Sequence, residues 1–234
     1  MSKRSEARKR RHQKKQRQEL TFGLVALGVI LIIASIVFLP SLQPVGEIIT
    51  PEFIEHPMAN GSAIGDPNAP VVMEEYSDYQ CTYCRKFSEE TEPLLIEQYV
   101  VTGKLYIIFK NFVIYESPGY SSIPFAEAAL CAADQNKFWD YHDILYANQS
   151  TSDSDKYSES RLEAYAEIVG LDLDAFKQCL GDSRTLEEIR RIQLEAGNLE
   201  INSTPTFLIN GKMIVGAQPL EVFQQEIETA LTGR

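Results

Sequence analysis

Val71-Val72-Met73-Glu74-Glu75-Tyr76-Ser77-Asp78-Tyr79-Gln80-Cys81-Thr82-Tyr83-Cys84-Arg85-Lys86-Phe87 passes from an apolar run into two cysteines separated by two residues. Val71 to Met73, continued by Glu74-Glu75-Tyr76, reads as a short buried strand, and Leu105 to Phe109, rich in isoleucine and aromatics, as another. Between them Cys84 to Val101 is helical in character, and Pro93 should kink it. Strand, helix and second strand form a βαβ unit whose strands are expected to be parallel. The C-x-x-C falls at the first strand-to-helix junction. There the helix N-terminus offers free N–H groups and partial positive charge to a thiolate on Cys81, to which Arg85 and Lys86 are expected to add. Cys81 reads as the better-exposed nucleophile and Cys84, one turn further in, as its buried partner. Disulfide exchange runs through thiolates, so a lowered pKa stabilises the reduced form and makes the disulfide more oxidising.

From Pro124 to Gly197 the pattern is helical only. Pro124 opens an Ala-rich helix, Phe138, Tyr141 and Leu145 recur at helical spacing in the next, and Ser160 with Glu163 forms a capping box for a third that Gly170 stops. Asp174 to Leu180 and Leu186 to Ala196 mark two more. Strands then return: Thr206 to Ile209 and Met213 to Val215 flank Asn210-Gly211, the signal of a two-residue hairpin, and a last helix begins at Pro219. The order is that of an α/β domain over residues 64–234 with a helical insertion at about 117–200. Cys131 and Cys179 both lie in the insertion. They are expected to tie it as a structural disulfide, two buried free thiols being the alternative. His142 reads as a packed structural histidine.

The net charge of −11 hides an asymmetry: residues 1–19 hold nine Lys/Arg against Glu6 and Glu19, leaving 13 basic and 31 acidic side chains for the rest. The basic run abuts Leu20 to Leu39, which carries no charge. As a helix this run is roughly 30 Å long, the thickness of a bilayer's hydrocarbon core. That context favours an uncleaved transmembrane anchor at residues 20–39 over a nucleic-acid-binding tail, and no small-x-small cleavage site supports a removable signal peptide. The basic tail then stays cytoplasmic, and beyond a proline-rich linker at residues 40–63 the domain emerges outside the cell membrane, where disulfides persist. Zinc is not expected, since no second C-x-x-C follows and the histidines are His12, His56 and His142.

Glu75 through Phe87, together with Ser203-Thr204-Pro205-Thr206-Phe207-Leu208-Ile209-Asn210-Gly211, resembles the DsbA-like branch of the thioredoxin superfamily in its membrane-anchored bacterial form. The likeness runs over essentially all of residues 64–234. It implies a thioredoxin fold with an inserted helical block, and a protein thiol-disulfide oxidoreductase that oxidises exported proteins through a Cys81–Cys84 redox disulfide, with no bound cofactor or metal. It also implies a cis peptide before Pro205, whose loop faces the disulfide and, with Thr204, Thr82 and Tyr83, receives an extended substrate. Glu75 falls where the family keeps an acid beneath the buried cysteine, as proton acceptor for Cys84; Glu74, on the opposite face, is the competitor. A DsbB-like or vitamin K epoxide reductase-like membrane protein is the implied reoxidant. Thr82-Tyr83 stands where strong oxidants of the family carry Pro-His, a departure that bears on oxidising power and not on disulfide exchange. A membrane-tethered reductase or isomerase, and a non-catalytic peptide-binding module, are the alternative readings.

Overall fold

In the computed structural model, which describes residues 20–25, 27–32, 46–117, 120–149 and 158–233, the run Val71–Ser77 is a strand at the centre of a five-stranded sheet. The strands are β1 (Ala63–Ile64), β2 (Val71–Ser77), β3 (Leu105–Asn111), a small separate hairpin of β4 (Glu116–Ser117) and β5 (Tyr120–Ser121), then β6 (Thr206–Ile209) and β7 (Lys212–Val215). The order across the main sheet is β1-β3-β2-β6-β7. β2 and β3 are parallel, with Glu75 opposite Phe109, while β6 runs antiparallel to β2 with Phe207 opposite Glu75. The β6–β7 hairpin turns on Asn210 and Gly211, both with positive φ, as a two-residue turn of this hand requires.

Because side chains alternate across a strand, β2 serves two cores. Val71, Met73 and Glu75 share one face with Leu105, Ile107 and Phe109 of β3. This face is covered by α1 (Thr82–Glu90) and, at the far end of the chain, by α8 (Leu220–Thr232), through a Phe87–Phe207–Phe223 cluster with ring centroids 4.4–5.2 Å apart. On the other face Tyr76 and Leu208 pack with Ile192 and Ala196 of α7 (Ser183–Asn198). Gly65 lets the chain enter beside β3: its φ is +94°, and a Cβ there would sit 2.6 Å from the Leu105 carbonyl oxygen.

The helix expected between the first two long strands is broken. α1 ends at Glu90, α2 (Glu92–Leu95) restarts it, and a wide π-type turn, Ile96–Val100, completes it. Pro93 supplies no N–H to continue the ladder of α1. The inserted block consists of α3 (Ile123–Ala133), α4 (Phe138–Ala147), α5 (Glu159–Val169), α6 (Leu173–Cys179) and α7. The cap of α5 differs from expectation: Ser158, not Ser160, holds the extended backbone and accepts from the Arg161 N–H at 3.1 Å, leaving Ser160 inside the first turn. β1, β4 and β5 have two residues each, too short to leave a periodic signal.

Residues 46–234 form one compact unit, so the folded body begins within the segment expected as a linker. Ile49 and Asn148 exchange two hydrogen bonds of 2.8 and 2.6 Å, and Arg161 donates to the Glu47 carbonyl. Residues 20–25 and 27–32 are helical, and no helix among the described residues is long and apolar enough to cross a membrane. The expected span 20–39 lies partly, and the basic tail wholly, outside the described residues.

Cys131 on α3 is joined to Cys179 at the end of α6, closing a loop of 48 residues. Replacing both by serine is expected to cost about 4 kcal/mol on the chain-entropy account. Urea unfolding of the double variant under oxidising conditions measures it, and a loss below about 1 kcal/mol would show that the helices hold together without the bond.

Candidate active site

Cys81 caps α1 with extended backbone, φ −80° and ψ 119°, so the thiol stands at the helix mouth. The loop that delivers it is pinned by Asp78, a buried residue whose carboxylate accepts from the Gln80, Ile114 and Tyr115 N–H groups and from the Ser122 hydroxyl. The Asp78 carbonyl in turn accepts from the Cys81 N–H at 3.0 Å. From α4's end, Gln149 donates to the Tyr79 and Cys81 carbonyls at 2.8 and 3.0 Å. Gln149 and the Ile114, Tyr115 and Ser122 partners of Asp78 carry no sequence signal for this role, because each contact spans dozens of residues.

Cys81 and Cys84 are free thiols. The Cys84 thiol donates to Cys81, and with the N–H groups of Cys84 and Tyr83 it outweighs burial and brings the Cys81 thiol down to about 6. Burial, and then the neighbouring Cys81 charge, push the Cys84 thiol up. Arg85 and Lys86 do not add to this as expected: Arg85 donates to the Gln149 carbonyl and Lys86 faces Glu90 in solvent. The Cys81 thiol also donates to the Thr204 carbonyl at 3.3 Å, an interaction that favours its protonated form. The Thr204–Pro205 peptide is cis. Thr82 and Tyr83 between the cysteines are exposed.

The strand alternation decides between the two glutamates. Glu74 points to the α7 side and pairs with Lys110 at 3.0 Å, in a network with Glu195 and the Tyr76 hydroxyl. Glu75 is fully buried on the α1 side, where its Oε1 accepts from Ser77 at 2.5 Å and its Oε2 has no partner. Desolvation raises its carboxyl to about 8, with the Ser77 bond opposing. Tyr146 feels both Cys84 and Glu75, so the carboxyl and the buried thiol share one low-dielectric compartment. This brings together a thiol whose pKa is brought down to about 6, a second thiol pushed up, and a buried carboxyl raised to about 8, a set of groups able to carry thiol and proton chemistry. Among the described residues no group of His, Cys, Asp and Glu is arranged to hold a metal ion. His142 is fully buried, with Nδ1 3.1 Å from Asp143 Oδ1.

Residues 58–229 match the family described as Thioredoxin. The Na(+)/H(+) antiporter NhaA 1 of Salinispora arenicola is 31% identical over 72% of this chain and 24% of its own length, so the chain spans about a quarter of that relative. The probable disulfide bond formation protein D of Bacillus anthracis is 26% identical over 64% of this chain and 70% of its own. Among solved structures, Wolbachia pipientis alpha-DsbA1 superposes with a TM-score of 0.65 at 26% identity, covering 76% of this chain and 96% of that one.

The raised Glu75 carboxyl has a signed consequence. With an unfolded value of 4.5 and a folded value of about 8, its burial costs nothing below pH 4.5 and progressively more up to about pH 8. Glu75→Gln should therefore match the wild type in urea unfolding at pH 4 and exceed it by on the order of 4 kcal/mol at pH 8. Equal margins at both values would mean that the carboxyl is not held neutral. The Cys81 thiolate should titrate near pH 6 in its ultraviolet absorbance, and a midpoint near 9 would contradict the geometry described for the helix mouth.

Proposed function

The chain belongs to the thioredoxin family, and we propose that it is a DsbA-like thiol-disulfide oxidoreductase that introduces disulfides into exported proteins. The observation that carries this reading is the opposed pair at the mouth of α1, with the Cys81 thiol brought down to about 6 and the Cys84 thiol pushed up beside a buried carboxyl. A substrate thiolate attacks Sγ of Cys81 in the oxidised enzyme, and the Cys81–Cys84 bond breaks. Its electron pair goes to Cys84, which takes a proton from the neutral Glu75 carboxyl. A second substrate thiolate then attacks the substrate sulfur of the mixed disulfide and expels Cys81, which leaves as a thiolate that is stable at neutral pH. Two electrons have passed to the enzyme, and the substrate holds the new disulfide.

The substrate lies as an extended strand along the loop of Thr204 and Pro205, next to the exposed Thr82 and Tyr83. Reoxidation reverses the thiol steps at a quinone-linked membrane protein of the DsbB-like or vitamin K epoxide reductase-like kind, with Cys84 returning its proton to Glu75. The uncharged run Leu20 to Leu39 anchors the chain and the basic tail stays cytoplasmic, which holds the domain on the outer side near that partner. The depressed Cys81 supports the oxidase direction although Thr82-Tyr83 contains no histidine: the donors are the Cys84 thiol and backbone N–H groups.

Cys81→Ser is expected to abolish exchange, and Cys84→Ser to accumulate a mixed disulfide with substrate visible on non-reducing gels; equal turnover in both variants would end the mechanism. Equilibration with glutathione buffers then fixes the direction. A potential more oxidising than about −200 mV supports the oxidase, and one near −270 mV assigns a reductase.

A further inference from the structure

Polar groups continue past Glu75 into the core. Glu92 Oε1, His142 Nε2 and the hydroxyls of Tyr79 and Tyr146 are all buried without a hydrogen-bond partner, as is Glu75 Oε2. A close-packed core holds few such groups, and a connected set of them calls for a reason. Glu92 Oε2 lies 3.8 Å from His142 Nε2, and the opposite ring nitrogen, Nδ1, lies 3.1 Å from Asp143 Oδ1. The same Asp143 oxygen is 3.8 Å from His56 Nε2. His56 stacks on Trp139 and lines a surface pocket with Lys137 and Asp140, whose walls include no residue of the Cys81 or Thr204 loops. Rings of Phe109, Phe138 and Trp139 pack around His142 and keep the line dry.

We propose that Glu75, Glu92, His142, Asp143 and His56 form a proton relay that links Cys84 to the pocket at His56. The proposal rests on the oxidoreductase reading above. In each cycle Cys84 gains a proton when it leaves the disulfide and loses one when it attacks, and a substrate strand over Cys81 and Thr204 closes the near exit to water. An imidazole suits the middle position because one nitrogen can accept while the other donates. The 3.8 Å steps close to hydrogen-bond distance by a small side-chain rotation. Other groups facing the line are Cys84 and Ser88 from α1, Tyr79 ahead of it, and Asp140, Tyr141 and Tyr146 from α4. Burial, and after it the charge of Glu75, hold the Glu92 carboxyl well above the usual range, so ionising one of the two carboxyls disfavours ionising the other.

The test uses the reduced full-length protein and 5,5′-dithiobis(2-nitrobenzoate). Cys81 thiolate attacks the reagent and releases one thionitrobenzoate; Cys84 then attacks the mixed disulfide, gives up its proton and releases a second. The fast phase reads Cys81 and the slow phase reads deprotonation of Cys84. Glu92→Gln and His142→Phe should slow the second phase about tenfold or more between pH 6 and 8 and leave the first unchanged. His56→Ala should slow the second phase likewise, and added imidazole should restore it. A second phase at the wild-type rate in Glu92→Gln and His142→Phe, equal slowing of both phases, or no effect of imidazole would overturn the relay. Release of a single thionitrobenzoate by the wild type would instead overturn the exchange reading itself.

Discussion

A carboxyl group buried at the centre of the sheet is the constraint around which the rest of this molecule is arranged. Glu75 sits between Phe109 and Phe207 on neighbouring strands, and burial dominates the state of its carboxyl. A charge left in that position would be very costly, so the group stays neutral over most of the physiological range. Ser77 supplies its one strong hydrogen bond. Two aromatic clusters pack on either side of the strand, Phe87–Phe207–Phe223 under α1 and α8 and Phe109–Phe138–Trp139 toward the inserted helices.

The same burial separates the two thiols. They are three residues apart, yet Cys81 caps a helix while Cys84 lies one turn inside it against the sheet, and their pKa values are driven in opposite directions. Backbone amides and a neighbouring thiol lower the first, and desolvation raises the second, without help from Arg85 or Lys86. Position along one helical turn therefore assigns leaving group and attacking group in the proposed cycle. Asp78 and Gln149 then fix the loop so that this difference is not averaged away by motion.

The inserted helices contribute more than bulk. α4 brings Phe138, Trp139, His142 and Tyr146 to the β3 side of the sheet, and the Cys131–Cys179 bond braces the block from behind. Glu92, at the first position of α2, is buried on the same side as Cys84 and Ser88 of α1 and reaches the same compartment.

Hydrophobic periodicity and local chemistry in the sequence determined the strands Val71–Ser77 and Thr206–Ile209, the Asn210-Gly211 hairpin and the position of Cys81-Thr82-Tyr83-Cys84 at a strand-to-helix junction, since each depends on residues within a few positions of one another. The alternation of β2 allowed Glu74 and Glu75 to be named as competitors, and only the register against β3, β6 and α7 turned Glu75 to the core and Glu74 to Lys110. The start of the folded body at Gly46, the Ser158 cap, the aim of Arg85 and the line from Glu92 through His142 to His56 were decided by tertiary structure alone. Each of these joins groups that are far apart in the chain or equally plausible in it, and burial and hydrogen bonding across such distances have no local sequence pattern to announce them.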